Sequence, residues 1–235
     1  MIKRVKKPTL KHAPFSEEFL DVVPAKLSIP KWYTETKPPE RKLSRIKTAP
    51  NQPNFRLCYP FLDTLTTGYV SLLPVDIAFE KTDTFPNITW PKESEFYPVN
   101  LRKGDADKTI PVPEGHNPQH FAWTSPNAIK LPEGYSALIT HPLNRYDLPF
   151  TTLSGIIDGN YAMHQGSIPV FFKENFEGVI PRGTPIFQII PFKSENWTST
   201  LDPNLVKEAN INKKVSESTI IGWYKNNHWK RKLYE

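Results

Sequence analysis

The chain has 235 residues, of which 38% are hydrophobic and 12% aromatic, and its only cysteine is Cys58. This length suffices for a buried core without disulfides, and the aromatic content argues against wholesale disorder. No apolar run approaches the roughly 20 residues that cross a bilayer, which excludes a helical membrane span. No secretory signal is recognisable, and the single cysteine favours a reducing compartment.

The net charge of +6 is concentrated at one end of the chain. Residues 1–56 carry 13 Lys and Arg against 5 Asp and Glu, whereas the remainder carries 17 against 19. The positive charge therefore belongs to the N-terminal region rather than to the rest of the protein. Such a region either contacts nucleic acid or an acidic protein surface, or is a solvated terminus.

Residues 1–54 contain 8 prolines, which interrupt every helix longer than about two turns. Residues 16–23 have the N-cap serine and the first-turn acids of one short helix. The aromatic pair Trp32 and Tyr33 is suited to anchoring the segment on a core. We predict an extended basic arm over 1–54 that wraps the domain or a partner.

Residues 54–90 predict one helix followed by three strands. Pro60 suits the first turn of a helix over 60–66, and Gly68 suits its C-terminal cap. The strands are expected at three short stretches, of which the second alternates apolar residues on one face. These stretches are 69–73, 75–80 and 87–90.

Residues 92–118 are polar and rich in proline, and they predict a loop. His116 and His120 are four residues apart, but Pro118 lies between them and opposes the helix that would bring both imidazoles to one metal ion. We therefore predict no metal site here, and we place His120 at the start of a strand over 120–123.

Residues 131–192 are the structural centre of the sequence, with short apolar runs separated by Pro and Gly. Pro132-Glu-Gly134 and Pro181-Arg-Gly183 predict type II turns with Pro at the second position. Short strands joined by such turns indicate a mainly β barrel or sandwich rather than βαβ units. The strands are predicted at 135–140, 151–158, 168–173 and 185–190.

The C-terminal region changes composition. Asp202 and Pro203 mark the start of a helix, and residues 204–227 contain helix formers for one or two helices with only a ragged apolar stripe. The end of the chain interleaves aromatic and basic residues, which suits stacking on single-stranded nucleic acid or packing of Trp223 and Trp229 on the core. Of these two interpretations we favour packing.

Residues 154–192 resemble the β-clip core of trimeric dUTPases and dCTP deaminases. The shared pattern is a strand ending in Asp, a nearby Tyr, an alternating strand, and a turn Gly followed by Ile-x-Gln. The residues that carry it are Gly155-Ile-Ile-Asp158, Tyr161, 168–172, Gly183 and Ile186-Phe-Gln188. The resemblance implies a β-clip-like, dUTPase-like barrel or sandwich, and self-association with a homotrimer as the family's form.

In that family the matching aspartate is a general base on water, and the tyrosine lies against the nucleobase. Asp158 is therefore the candidate catalytic residue, and Arg145, Tyr161 and Gln188 are the candidate nucleotide-binding residues. The family's phosphate-binding motif would fall near 141–145, which lacks it, and its metal-binding and lid motifs have no match. We therefore expect Asp158 to be a turn residue, with no cofactor, and Mg²⁺ only if the protein hydrolyses nucleotides.

The whole chain also resembles an uncharacterised family found in tailed, T4-like phages and in some bacteria. This resemblance implies a phage origin and a location in the host cytoplasm or the virion. The segments that carry it are Pro30-Lys-Trp-Tyr33, 58–69, Pro132-Glu-Gly-Tyr135, His141-Pro-Leu-Asn-Arg145, 154–158 and 183–192.

We expect a non-enzymatic binding or structural protein that binds a protein partner or another copy of itself. In one version of this hypothesis the protein is associated with the virion. Nucleic acid is a further partner, through the basic termini. The alternative is a nucleotide-binding protein or a dUTPase- or dCTP-deaminase-like hydrolase. The predicted organisation is an arm over 1–54, a β-rich core over 55–197 and a helical, basic and aromatic tail over 198–235.

Overall fold

A computed structural model describes residues 7–37, 55–82, 86–92, 94, 96–102, 110–159, 161–164, 166–218 and 223–235. Within these ranges the protein has fourteen β-strands and four α-helices, which confirms the mainly β class with short C-terminal helices. The helices of these ranges are all too short or too polar to cross a membrane.

The strands are short, apart from the one that ends the central region. In chain order they are β1 (Lys11–Pro14), β2 (Val23–Pro24), β3 (Tyr69–Leu72), β4 (Ile77–Glu80), β5 (Asn87–Thr89), β6 (Val99–Leu101), β7 (Phe121–Thr124), β8 (Asn127–Lys130), β9 (Tyr135–Thr140), β10 (Phe150–Thr152), β11 (Gly155–Asp158), β12 (Ser167–Phe172), β13 (Gly178–Ile180) and β14 (Pro185–Lys193). The helices are α1 (Lys31–Glu35), α2 (Tyr59–Thr66), α3 (Leu205–Ser218) and α4 (Trp223–Asn227).

The largest sheet has five antiparallel strands in the order β11-β9-β14-β3-β2. β14 lies in the middle because residues 185–189 are buried on both faces, as a nearly continuous apolar run requires. Gln188 is the polar exception in that run and is only 2% exposed. A buried amide must find hydrogen-bond partners, so Gln188 directs attention to its surroundings.

The second sheet, in the order β10-β12-β7-β6, is built around aromatic residues. The Trp123 ring meets Phe150 at 5.0 Å and Phe172 at 5.3 Å between centroids, both edge to face. These rings belong to one core cluster with Ile189 of the five-stranded sheet and Phe79 of the three-stranded sheet β13-β4-β5. The core therefore lies between the sheets and joins them into one packed unit.

The predicted strand over 151–158 is wrong, because the chain changes sheets within it. β10 belongs to the four-stranded sheet and β11 to the five-stranded sheet, with only Leu153 and Ser154 between them. The amide of Leu153 still bonds the carbonyl of Pro169 at 2.8 Å, so the chain leaves one sheet and enters the next at Ser154. The other strands, predicted over 69–73, 75–80, 87–90, 120–123, 135–140, 168–173 and 185–190, are confirmed with small shifts of their ends.

Both Pro-x-Gly turns exist, but their register differs from the prediction. Pro132 and Pro181 occupy the first position of each turn rather than the second, since Tyr135 and Thr184 donate to their carbonyl oxygens at 3.3 and 3.1 Å. Each glycine then takes the third position with positive φ, 78° at Gly134 and 85° at the second turn. This register places glycine at the third position of a type II turn, which requires a positive φ.

The described part of the N-terminal region packs on the domain. β1 pairs with β8, β2 pairs with β3, and Val22, Ala25 and Tyr33 are buried. The helix predicted over 16–23 is wrong: only a turn forms, with Phe19 bonded to the carbonyl of Ser16 at 3.1 Å. The remainder of the predicted arm, 1–6 and 38–54, lies outside the described residues.

Candidate functional site

Gln188 connects three pieces of backbone around the end of α2. Its Oε1 accepts the amide of Leu143 at 2.8 Å, and its Nε2 donates to the carbonyl oxygens of Thr64 at 3.0 Å and Thr67 at 2.6 Å. Both protons of the amide and one lone pair of its oxygen are thus used. Gln188 fixes the loop after β9 to α2, and its amide is committed to this structural role.

Arg145 lies in the same loop and is paired with Asp147. Its Nε and Nη2 each reach Asp147 at 2.9 Å, and the arginine side chain is only 13% exposed. Asp147 also accepts the indole N–H of Trp32 at 3.2 Å. Burial raises the pKa of Asp147, but the bonds and charge of Arg145 outweigh it and lower the pKa below its usual range. Asp147, fixed by this guanidinium, therefore links the loop to Trp32 of α1.

Asp158 and Tyr161 lie elsewhere, the first at the end of β11 in the five-stranded sheet and the second in the bend that follows. Asp158 is exposed at the end of β11 and accepts the hydroxyl of Ser136 at 2.9 Å. The oxygen of Ser136 in turn lies 2.6 Å from the hydroxyl of Ser194. Tyr161 is 51% exposed, and its amide bonds the carbonyl of Asp158 at 3.3 Å, closing a tight turn.

The strand register separates the four candidates from the sequence into two pairs. Asp158 faces Ser136 on β9, whereas Gln188 faces Thr140, four residues further along the same strand. At about 3.3 Å per residue this places the two pairs about 13 Å apart. The structure therefore brings Arg145 together with Gln188, and Asp158 together with Tyr161, in two different places.

A cleft of about 510 Å³ opens beside the loop after β9, on the side of β10. This volume lies in the range of small-molecule sites. One wall is apolar and includes an aromatic side chain, Tyr146, that is 81% exposed. The apolar wall consists of Leu143, Tyr146, Leu148, Phe150 and Leu153.

The two histidines of the cleft are both engaged by neighbouring groups. His141 donates from Nε2 to the carbonyl of Arg145 at 3.1 Å and accepts the amide of Thr152 at Nδ1 at 3.3 Å, which fixes a neutral imidazole. Burial lowers the pKa of His141, and the charge of Arg145 acts in the same direction. His116 places Nδ1 3.0 Å from the carbonyl of Glu114 and Nε2 2.9 Å from the hydroxyl of Thr151.

The positive charge of the cleft comes from Lys173 at the end of β12. Its ammonium donates one bond to the carbonyl of Tyr146 at 3.2 Å and has two further protons to offer. Nearby, the hydroxyls of Thr140 and Ser154 lie 2.7 Å apart, and a pair sharing one bond retains one donor. The described lining contains this one ammonium and no carboxylate, so the cleft suits an anionic group.

The loop that forms the floor of the cleft is held in an uncommon conformation. Asn144 has φ of 59°, the left-handed region that asparagine tolerates better than most residues. Its side-chain amide donates to the hydroxyl of Thr64 in α2 at 2.6 Å. This bond and those of Gln188 hold the loop through several independent contacts. Backbone strain at functional sites persists only where the surrounding structure fixes the conformation in this way.

Metal-ligating side chains do not cluster in the described part of the chain. Within these ranges no three His, Cys, Asp or Glu side chains gather as metal ligands. The two histidines have different partners: His120 stacks on Phe171 with centroids 5.2 Å apart, whereas Nε2 of His116 meets the hydroxyl of Thr151. Mg²⁺ requires oxygen ligands such as carboxylates in an octahedral arrangement, and the residues of the cleft do not fit that ion.

Sequence patterns did not identify the cleft. Its polar groups come from positions as far apart as His116, Thr140 and Lys173, and no motif spacing links them. The one signal was the stretch 141–145, which lies where a phosphate motif was expected and supplies the floor of the cleft.

No protein-family model matches the chain, and no curated protein matches it. Solved structures that it resembles are dUTPases of staphylococcal phages. A mutant dUTPase of phage phi11 of S. aureus matches with 14% identity over 83% of this chain and 95% of that chain, with a TM-score of 0.35. A mutant dUTPase of Staphylococcus bacteriophage 80alpha matches with 13% identity over 83% and 94%, with a TM-score of 0.37.

Proposed function

We propose that this is a non-enzymatic binding protein that holds a small organic anion in the cleft beside β10. The observation that carries the proposal is the composition of the lining: one ammonium, on Lys173, faces an apolar and aromatic wall, and the described lining has no carboxylate. A ligand with a flat apolar body and one anionic group satisfies both parts. A phage origin and a place in the host cytoplasm or the virion, inferred from the sequence resemblance, belong to the same proposal.

Nucleotides are one ligand class of this kind, since a base is flat and a phosphate is anionic. The exposed ring of Tyr146 offers a surface for stacking, which is worth about 1–3 kcal/mol per base. The hydrolase alternative needs Asp158 beside the bound phosphate. Asp158 is instead bonded to Ser136 and is not part of the lining, so binding without turnover is favoured.

Thermal unfolding of the purified protein tests the proposal with the four dNTPs, inorganic phosphate and benzoate at millimolar concentration. A ligand that binds the folded state raises the unfolding temperature. We expect the dNTPs or benzoate to stabilise the wild type, and Lys173→Met to remove most of that shift. Lys130→Met, which removes an exposed lysine of β8 outside the cleft, should leave the shift intact.

Three results would contradict the proposal. An equal shift in the Lys173→Met variant would place the ligand outside the cleft, and no shift with any probe would remove the site. Release of pyrophosphate or phosphate by the wild type, abolished in Asp158→Asn, would establish the hydrolase instead. Mass spectrometry of purified virions decides between the two locations.

A further inference from the structure

The hydrogen-bond donors of the cleft decide which anionic group it can hold. Lys173 keeps two ammonium protons beyond the one that it gives to the carbonyl of Tyr146. The hydroxyl pair of Thr140 and Ser154 keeps one proton, because the other forms the bond between the two oxygens. The ammonium and the hydroxyl pair thus offer three protons within one cleft.

The two histidines of the lining add neither a proton nor a charge in their neutral state. The carbonyl of Glu114 can only accept, so Nδ1 of His116 carries the proton, and Nε2 then accepts the hydroxyl of Thr151. His141 likewise uses one nitrogen as a donor and the other as an acceptor for the amide of Thr152. Both rings are therefore occupied by groups of the protein.

The backbone amides of the lining are also committed to the fold. Sites for phosphate typically supply free amides from glycine-rich loops or helix N-termini, or the fork of an arginine. The described lining contains neither glycine nor arginine. Its amides that donate to other groups of the protein are those of Leu143, Leu148, Thr152, Leu153 and Lys173. A phosphate would thus lack the backbone donors that usually surround it.

The charges beside the lining oppose a ligand with several negative charges. Among the described residues within two positions of a lining residue, the charged ones are Glu114, Arg145, Asp147 and Glu174. Arg145 is ion-paired with Asp147 at 2.9 Å, and Glu174 directly follows Lys173. With Lys173 included, two cations stand against three carboxylates. One negative charge on a ligand finds the ammonium, whereas each further one meets a repulsive surrounding.

We propose that the cleft selects a monocarboxylate on a flat apolar body, such as an aromatic acid, over phosphates and nucleotides. The proposal rests on the anion binding proposed above and names the ligand class of that same cleft. A carboxylate has two oxygens, so three protons satisfy most of its acceptor capacity. A phosphate monoester has three such oxygens and a charge of about −1.5 to −2 at pH 7, which one ammonium does not neutralise.

The flat body of the acid belongs on the apolar wall. The ring of Tyr146 is 81% exposed and offers a face for stacking at the mouth of the cleft. Leu148 and Phe150 continue this wall inward, where both are buried. A carboxylate without a ring would use the ammonium alone and leave the wall in water.

Titration calorimetry of the wild type with ligands that share one ring tests the selection. The probes are benzoate, phenyl phosphate and the uncharged benzamide, together with acetate, which lacks the ring, and dTTP. We expect the dissociation constant of benzoate to be about ten-fold lower than that of every other probe, since bonds to a charged group lose most when charge or geometry is wrong.

Variants identify the donors on which the selection depends. Thr140→Val with Ser154→Ala removes the hydroxyl pair, and Lys173→Met removes the ammonium. Each is expected to weaken benzoate about ten-fold or more. Lys130→Met, at an exposed position outside the cleft, is the matched control and should bind benzoate like the wild type.

The possible failures point to different conclusions. Tighter binding of phenyl phosphate or dTTP than of benzoate, lost in Lys173→Met, overturns the selection but leaves the anion site in place. Equal affinity for benzamide and benzoate also overturns it, because the ammonium would then contribute nothing. Binding of no probe, or benzoate binding unchanged in Lys173→Met, overturns both the selection and the anion site.

Discussion

His141 is held neutral by its surroundings, and this makes it a source of pH-dependent stability. Burial lowers its folded-state pKa below the ordinary value of 6.5. Between the lowered pKa and 6.5 the unfolded chain binds more protons than the folded one, so stability falls as the pH falls through this window. Above about pH 6.5 the contribution is complete. Burial lowers the pKa of His120 as well, so both histidines act in the same direction.

The His141→Gln variant should lose part of this dependence. We expect the free energy of unfolding in urea to decline less steeply between pH 7 and 5 than in the wild type, with a difference of up to about 1.4 kcal/mol per pH unit. His12→Gln, at an exposed position of β1, should keep the wild-type slope. Identical slopes for wild type and His141→Gln would show that this imidazole does not control acid stability.

Gln188 is expected to be the most sensitive polar residue of the core. Gln188→Met keeps the volume but removes three hydrogen bonds and leaves the amide of Leu143 and two carbonyls without their partner. The expected loss is about 2–4 kcal/mol, measured by urea unfolding. Gln188→Glu retains an acceptor for Leu143 but no donor, and it places a charge in the buried site, so it should be no milder. A loss below about 1 kcal/mol for Gln188→Met would contradict this role.

At the level of residues, sequence patterns single out Gln188 as a candidate nucleotide-binding residue and do not predict its structural contacts. An Ile-x-Gln motif after a turn glycine indicates a ligand contact, which remains a prediction. The structure shows the amide occupied by backbone groups from α2 and from the loop after β9. Those partners are 45 and 121 positions away along the chain, so no local pattern contains them.

Among the elements, the joint between α2 and β3 depends on a glycine that nothing can replace. Gly68 follows the helix with φ of 69°, which confirms the predicted helix end, and a Cβ there would overlap the carbonyl oxygen of Ile189. Gly68→Ala should cost more than about 3 kcal/mol of unfolding free energy. Gly134→Ala has the same positive φ but open space around it, so only the conformational cost of about 1–3 kcal/mol is expected. Equal losses in both variants would remove steric overlap as the cause.

The C-terminal anchor, residues 228–235, is tied to α2 by one carboxylate. Asp63 accepts the indole N–H of Trp229 at 3.1 Å and the ammonium of Lys232. Asp63→Ala should free the anchor locally and raise its amide exchange rate about ten-fold, while global stability falls by only about 1 kcal/mol. Lys7→Ala breaks the exposed pair with Glu235 and serves as the control. Unchanged exchange in Asp63→Ala would show that contacts such as Trp229 against Tyr59 and Tyr234 against Tyr69 hold the anchor without the carboxylate.

The anchor also bears on the nucleic-acid interpretation of the tail. Trp229 and Lys232 are engaged by Asp63, and Tyr234 meets Tyr69 edge to face at 5.7 Å, so the packing predicted for Trp229 is confirmed. A nucleic-acid partner is not supported by this arrangement. The element that sequence patterns misjudged most is 151–158, where the chain changes sheets at Leu153 and Ser154.

For the molecule as a whole, the β class was predictable because turn residues and short apolar runs are local signals. The pairing of strands was not, since β1, β2, β6, β8 and β13 are each two to four residues long and are defined by their distant partners. The cleft also depends on residues that are distant along the chain, because its ammonium and its histidines meet only when two sheets are packed. Local patterns thus specified the class of fold, and long-range pairing specified the site.

The position of β14 has a consequence for the order in which the chain folds. β14 pairs with β3 and β9, and β13 pairs with β4. Strands near residue 70 can therefore form these pairs only after the residues near 185 have been synthesised. Loop closure over such distances makes folding slow, on a scale of milliseconds to seconds. The five-stranded sheet cannot close until residue 193 has left the ribosome. The protein therefore folds late in synthesis, with β3 and β4 exposed to chaperones until then.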